Sequence, residues 1–381
     1  MQRRNRTKIA MAALVLAFLL LPGLVTVFTL QYNTSIKMVV MPAQSSSMAY
    51  DQSNGLLYIS ALYEDKVYAY NSTSLRLEST ISTNGMIEYQ DSSGELFDPF
   101  NGLLYVAGLD INISGITVIS GITVINTTDN SVAGVINFGG NNFTGNMVLG
   151  NDGILLVSEG VHITEINGTH IIANYSTGTM YNDAISYAFD AASNMSYLVY
   201  DFQGLLMAAN DLHNLNGADV RYVQMFSYPT YMKYSQDSGK LLLASSSQLY
   251  AISPSNISDI LFRINLENNA GGVSATMCSS STGLLYVATY GSEAIYVYNS
   301  TTGRYVGSIR QTDAYNAVTG IIQMSNDRMV ASVGNRLVLE GETPSNLQPN
   351  LTDVEVALAV SAGIVGPVSV LVYFVLKRYG K

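Results

Sequence analysis

Acidic side chains dominate what this 381-residue chain could use for chemistry: 28 Asp and Glu against three His and a single Cys. His162 and His170 lie eight positions apart and His213 far behind them. A copper or zinc centre needs several imidazoles converging from different elements, which that scatter does not favour. No Gly-Xaa-Ser-Xaa-Gly elbow, glycine-rich phosphate loop or His-Glu-Xaa-Xaa-His helix occurs, and Trp is absent, which argues against a quinone-stacking dehydrogenase. Cys278 beside Met277 reads as a small buried residue, and one cysteine forms no intramolecular disulfide. What remains is carboxylates interleaved with aromatics: Tyr63, Glu64 and Asp65, then Asp110, Glu159, Asp201 with Phe202, and Tyr290 with Glu293. Such a set suits a divalent cation such as calcium, a sugar or a basic peptide; it equally suits solvated loops.

The elements that would position these residues are short strands. Gly283–Ile309 alternates β-branched, aliphatic and tyrosine residues between Gly, Asn, Ser and Thr clusters, predicting strands at Leu284–Thr289, Ala294–Tyr298 and Arg304–Ile309. The unit recurs. Leu57, Leu104, Leu155, Ser196, Leu241, Leu285 and Met329 occupy one position of it, with spacings of 47, 51, 41, 45, 44 and 44. A repeat of about 40–45 residues with four strands, here called A to D, predicts a β-propeller of seven blades. The A–B turn reads Asp51–Gly55 and Asp98–Gly102 in the first two blades. There the carboxylate caps backbone N–H groups and Gly takes the positive φ; the spacing does not fit an EF-hand loop.

The spacing of 51 has a local cause: Ser114–Ile119 is repeated letter for letter as Ser120–Ile125. Six is even, so the insertion keeps each side chain on its own face and predicts an over-long strand or protruding segment in blade 2. Blade 7 has A, B and C strands near Gly320–Met324, Met329–Val333 and Arg336–Glu340, but no D strand. Ile36–Met41 carries that pattern and is expected to pair with Arg336–Glu340, closing the ring and covering a sheet edge.

The two ends read differently. Residues 1–8 hold four basic groups, and 9–30 is an apolar run long enough to cross a bilayer, with no small-residue cleavage site at its exit. An uncleaved signal anchor is the expectation, with a cleaved signal peptide as the alternative. Residues 353–376 form a second apolar span after a linker at 341–352, and 377–381 are basic. The positive-inside rule places both tails in the cytoplasm and the propeller, 36–340, outside the plasma membrane. Between the basic tails lie 11 basic and 28 acidic groups. That balance repels nucleic acid and suits cationic partners, or simply solubility.

Leu284–Ile309, with Lys66–Ile81 and Gly121–Ile136 for its second half, resembles the YVTN-type β-propeller family, whose unit pairs a Tyr-Val strand with a following hairpin. The resemblance spans roughly Ile36 to Glu340 and implies a seven-bladed propeller on an archaeal or bacterial cell surface. It departs from the family in having Asn71, Asn126, Asn167 and Asn299 where Asp is usual after the third strand.

Those four open Asn-Xaa-Ser/Thr sequons, and Asn33, Asn112, Asn142, Asn174, Asn194, Asn256 and Asn350 open seven more, with Asn5 in the tail. Glycosylation and a composition rich in turn residues both account for them. Since blade 7 ends on its C strand, both anchors should leave from the face carrying the C–D turns, with the B–C loops facing outward. The expectation is a membrane-anchored, glycosylated, non-catalytic recognition, adhesion or envelope-scaffold propeller, binding other cell-surface proteins and needing no cofactor. The alternative is a lactonase-like hydrolase with a cation in the central mouth.

Overall fold

The computed structural model describes residues 37–340 apart from 84, 86, 88–93, 114–115, 139–145, 160–161, 177–183, 201–204, 211–220, 225–228, 246, 267–271, 291, 293, 311–317 and 325–327. The two apolar segments, the linker and the basic tails lie outside the described residues. Among the described residues no helix is long and apolar enough to cross a membrane.

Among the described residues, twenty-eight strands form seven four-stranded sheets. β1 is Lys37–Val40. Blade 1 contains β2 Ser45–Asp51, β3 Leu56–Ala61, β4 Lys66–Asn71 and β5 Leu77–Ser82; blade 2 contains β6 Glu95–Asp98, β7 Leu103–Ile113, β8 Ile116–Asn126 and β9 Ser131–Asn137. Blade 3 runs β10 Met147–Leu149, β11 Leu155–Glu159, β12 His162–Asn167 and β13 His170–Ser176. Blade 4 runs β14 Ala184–Asp190, β15 Met195–Tyr200, β16 Leu205–Ala209 and β17 Arg221–Gln224. Blade 5 is β18 Pro229–Ser235, β19 Lys240–Ser245, β20 Gln248–Ser253 and β21 Asn256–Asn265; blade 6 is β22 Val273–Ser279, β23 Leu284–Thr289, β24 Ala294–Asn299 and β25 Tyr305–Arg310. Blade 7 has β26 Val318–Gln323, β27 Met329–Val333 and β28 Arg336–Glu340, completed by β1. The all-β, seven-bladed propeller is therefore the fold.

Ring closure follows the expected pairing. β1 lies antiparallel on β28 with Lys37 opposite Leu339 and Val40 opposite Arg336. The chain then crosses to blade 1, held by the Met41 N–H on the Asn335 carbonyl and the Ser45 N–H on the Gly334 carbonyl, both at 2.7 Å. Every sheet is covered on both faces by its neighbours, which is why its second strand is an unbroken apolar run such as Leu56-Leu57-Tyr58-Ile59. The core accordingly lies between blades: Leu57, Tyr70 and Leu337 share one cluster, and Tyr58, Leu104 and Ile125 the next.

The doubled hexapeptide lengthens both middle strands of blade 2 to 11 residues. The described part of its first copy, residues 116–119, lies in the distal part of that hairpin, with Ile113 opposite Ile116, while Leu103 stays opposite Asn126 at the base. Asp110 consequently lies within β7 rather than in a loop.

One face of the ring is stitched by its turns. Asp51 Oδ1 accepts the Ser53 and Asn54 N–H groups, and Asp98 Oδ1 that of Phe100, while Gly55 and Gly102 sit at φ +68° and +69°. Asn71 Oδ1 accepts N–H groups of Thr73 and Ser74, and Asn299 Oδ1 those of Thr301 and Thr302. The residue after each Asn docks this C–D turn on the A–B turn of its own blade. The Ser72, Thr127 and Ser300 N–H groups reach the carbonyls of Gly55, Gly102 and Gly283 at 2.9, 3.0 and 2.9 Å. A tyrosine at one position of the second strand then ties one blade to the next: Tyr58 OH donates to Asn130 Oδ1 at 2.8 Å, and Tyr197 OH to the Pro254 carbonyl at 3.2 Å. Turn chemistry thus supplies a structural reason for Asn at one position of the repeat.

A candidate ligand site in the central channel

The seven inner strands line the channel, and their pairing with the second strands aligns them level by level. Opposite Ile59 and its equivalents stand Met48, Glu95, Met147, Tyr187, Met232, Thr276 and Ile321. Two residues further, opposite Leu57 and its equivalents, stand Tyr50, Phe97, Phe189 and Tyr234, with Leu149, Cys278 and Gln323 in the other blades. The four aromatics of this second level are half-buried. A register shift breaks the inner strand near its start in blades 1, 4, 5, 6 and 7. Bulges of this kind re-aim side chains, and small polar residues gather there.

Those polar residues form a collar between blades. Ser45 Oγ and Thr319 Oγ1 lie 2.7 Å apart between blades 1 and 7, and Asn146 Nδ2 donates to Ser186 Oγ at 2.7 Å between blades 3 and 4. Tyr231 OH meets Thr276 Oγ1 at 2.8 Å between blades 5 and 6, and Gln323 Nε2 donates to Ser279 Oγ at 3.3 Å between blades 7 and 6. Between blades 1 and 2 the link is Glu95, whose Oε2 accepts the Ser60 N–H at 3.0 Å and the Ser60 O–H at 2.5 Å.

Glu95 is only 3% exposed, and its Oε1 is buried without a hydrogen-bond partner. Burial pushes its carboxyl up to about 8, against the opposing pull of the Ser60 and Ser47 hydrogen bonds. At neutral pH burial thus favours the protonated, uncharged carboxyl. Burial likewise raises Tyr58 and Tyr70 to about 12, so both stay protonated.

Inside the inner strands lies a cavity of about 520 Å³, lined by all seven blades and within the usual range for small-ligand sites. Its wall includes the aromatics of the second level, Glu95, Asn146 and Thr276, and Lys233, whose Nζ donates to the Thr276 carbonyl at 3.3 Å. It reaches Gln236 and Asp237, exposed in the A–B turn of blade 5.

The described carboxylates and aromatics among those singled out from sequence lie in other parts of the blades. Tyr63 is exposed in the β3–β4 loop at φ +59°. Glu64 Oε2 beside it takes hydrogen bonds from Lys66 Nζ at 3.3 Å and Tyr68 OH at 3.2 Å, and Asp65 accepts one from Ser82. Glu159 ends β11 opposite His162, and Tyr290 follows β23 with its N–H on the Gly272 carbonyl. Asp201, Phe202, Glu293 and His213 lie outside the described residues. None of the described members of that set lines the cavity, and among the described residues no three His, Cys, Asp or Glu side chains converge as a metal ion requires. Of the sequons, Asn167, Asn174, Asn194 and Asn256 are exposed, Asn71, Asn126 and Asn299 half-buried, and Asn112 lies in β7; Asn33, Asn142 and Asn350 lie outside the described residues.

Glu95 was detectable in principle. Its level carries no other charged side chain, so aligning the first strands of the blades, rather than the second, isolates it. No protein-family model matches the chain, and no curated protein matches it.

Proposed function

We propose that the chain is a non-catalytic recognition or envelope-scaffold module held on the outer side of a plasma membrane by both ends. The observation that carries this is the clasp: Lys37 lies opposite Leu339, so the chain enters and leaves the propeller side by side on the face bearing the A–B and C–D turns. Two apolar segments, 9–30 and 353–376, each flanked by basic residues, continue from those two ends, and a pair of anchors at one point suits a propeller standing on a membrane. The exposed sequons support glycosylation of the outer surface, and the Tyr-Val repeat supports kinship with YVTN-type surface propellers of archaea or bacteria. The lactonase-like alternative needs a carboxylate-bound cation, and the described residues do not supply that cluster.

Cross-linking mass spectrometry on intact cells tests the reading. Reproducible links from loops around Tyr63, Glu159 and Tyr290 to envelope proteins or to another cell's surface are expected. Links confined to cytoplasmic proteins would overturn it.

A further inference from the structure

The central cavity has a chemistry of its own. Four half-buried rings, Tyr50, Phe97, Phe189 and Tyr234, stand at one level of its wall. They offer flat apolar faces, while Thr276, Gln323, Lys233 and Asp237 offer donors and acceptors around them. An apolar ligand would strip water from those polar groups without replacing their hydrogen bonds. A strongly charged ligand would meet no net counter-charge: Lys233 and Asp237 oppose each other, and Glu95 is neutral near pH 7. A ring with hydroxyls at its edge and C–H groups on its faces satisfies both kinds of surface.

We propose that this cavity binds a neutral polyhydroxylated ring, a carbohydrate, entering from the face that carries both ends of the propeller. This rests on the recognition reading above and gives it a ligand class. The entrance follows the lining, which extends to the exposed A–B turn at Gln236 and Asp237. Position on that face gives two sources for the same chemistry: a free sugar, or the headgroup of a glycolipid in the membrane to which the chain is anchored.

The test uses the full chain in phosphatidylcholine nanodiscs, with and without a galactosyl lipid, titrated with glucose, galactose, mannose and N-acetylglucosamine. Binding is read by isothermal titration calorimetry, with empty nanodiscs as the blank. A saturable change is expected with one of the sugars or with the galactosyl lipid. Phe97→Leu, which keeps apolar bulk, and Asp237→Asn, on an exposed turn, should each weaken it about tenfold, and Tyr63→Ala should leave it unchanged. A response to the galactosyl lipid alone assigns the membrane as the source. No response to any probe overturns the inference, as does a response that Tyr63→Ala abolishes and both cavity variants preserve. If protein cross-links persist when every sugar fails, the ligand class falls and the recognition reading stands.

Discussion

Replacing Glu95 by Gln should change how the propeller's stability depends on pH. The carboxyl titrates near about 8 when folded, against about 4.3 for an unperturbed Glu in the unfolded chain. The folded state therefore holds a proton that the unfolded state gives up. A raised acid pKa leaves stability whole below about pH 4 and removes it progressively as pH climbs toward 8. At about 1.4 kcal/mol per unit, the full displacement corresponds to roughly 5 kcal/mol, a ceiling reached only if the ionised carboxylate stays between the blades without water. Gln keeps the shape and can accept both Ser60 hydrogen bonds through its amide oxygen, but does not titrate. Thermal melts of the full chain between pH 5 and 8.5, followed by circular dichroism, should show the wild-type midpoint falling by on the order of 10 °C and the Glu95→Gln midpoint falling much less. Asp98, whose carboxyl burial also raises, acts with the same sign as pH climbs from its unfolded value. Glu64→Gln, at an exposed loop, serves as the control and should follow wild type. Parallel slopes for wild type and Glu95→Gln would refute the argument, since Glu95 would then be no more reluctant to ionise in the fold than out of it.

Three other expectations can be checked by the same melts. Tyr58→Phe removes the 2.8 Å bond to Asn130 between blades 1 and 2 and should cost about 1 kcal/mol. Gly303→Ala should cost more than Gly239→Ala: both sit at φ near +60°, but a Cβ on Gly303 would come within 2.5 Å of the Phe262 ring, whereas one on Gly239 meets nothing within 4 Å. The second should lose roughly 1 kcal/mol from backbone strain alone and the first on the order of 2–3. Deleting Ser114–Ile119 leaves the pairing from Leu103–Asn126 to Leu109–Ser120 available, closed by a four-residue loop; the variant should fold with stability within about 1 kcal/mol of wild type, and collapse of the melt would show that the extended hairpin supports the blade.

Much of the architecture was legible in the residues. Apolar strands two residues in period, cut by Asp-Xaa-Xaa-Xaa-Gly and Asn-Ser/Thr turns, set the boundaries of β23, β27 and β28 to the residue, and the lone unmatched strand before blade 1 indicated the clasp. The central cavity was not legible in the same way. Charged loop residues drew attention because loops commonly carry function, yet Glu64 is engaged by Lys66 and Tyr68 in its own hairpin. Glu95 escaped notice because a single carboxylate at the start of a four-residue strand has no local signature. The recurrence of Asn on the C–D turn, which suggests a modification, has a second cause in the turn itself, where Asn71 and Asn299 Oδ1 accept N–H groups two and three residues on.

Sequence alone determined the repeat, the number of blades and the identity of the closing strand, because strand periodicity and turn chemistry are local: a Gly at positive φ and an Asn accepting from residues two and three places on need only their neighbours. Tertiary structure decided which side chains meet across blades. It brought Glu95 to Ser60 over 35 positions and Ser45 to Thr319 over 274, placed four aromatics on one level of a channel wall, and displaced the inner strands by bulges that no alternation pattern announces. Those relations depend on how seven sheets pack around an axis. Burial, not residue type, then makes a carboxyl at that packing junction a neutral acid.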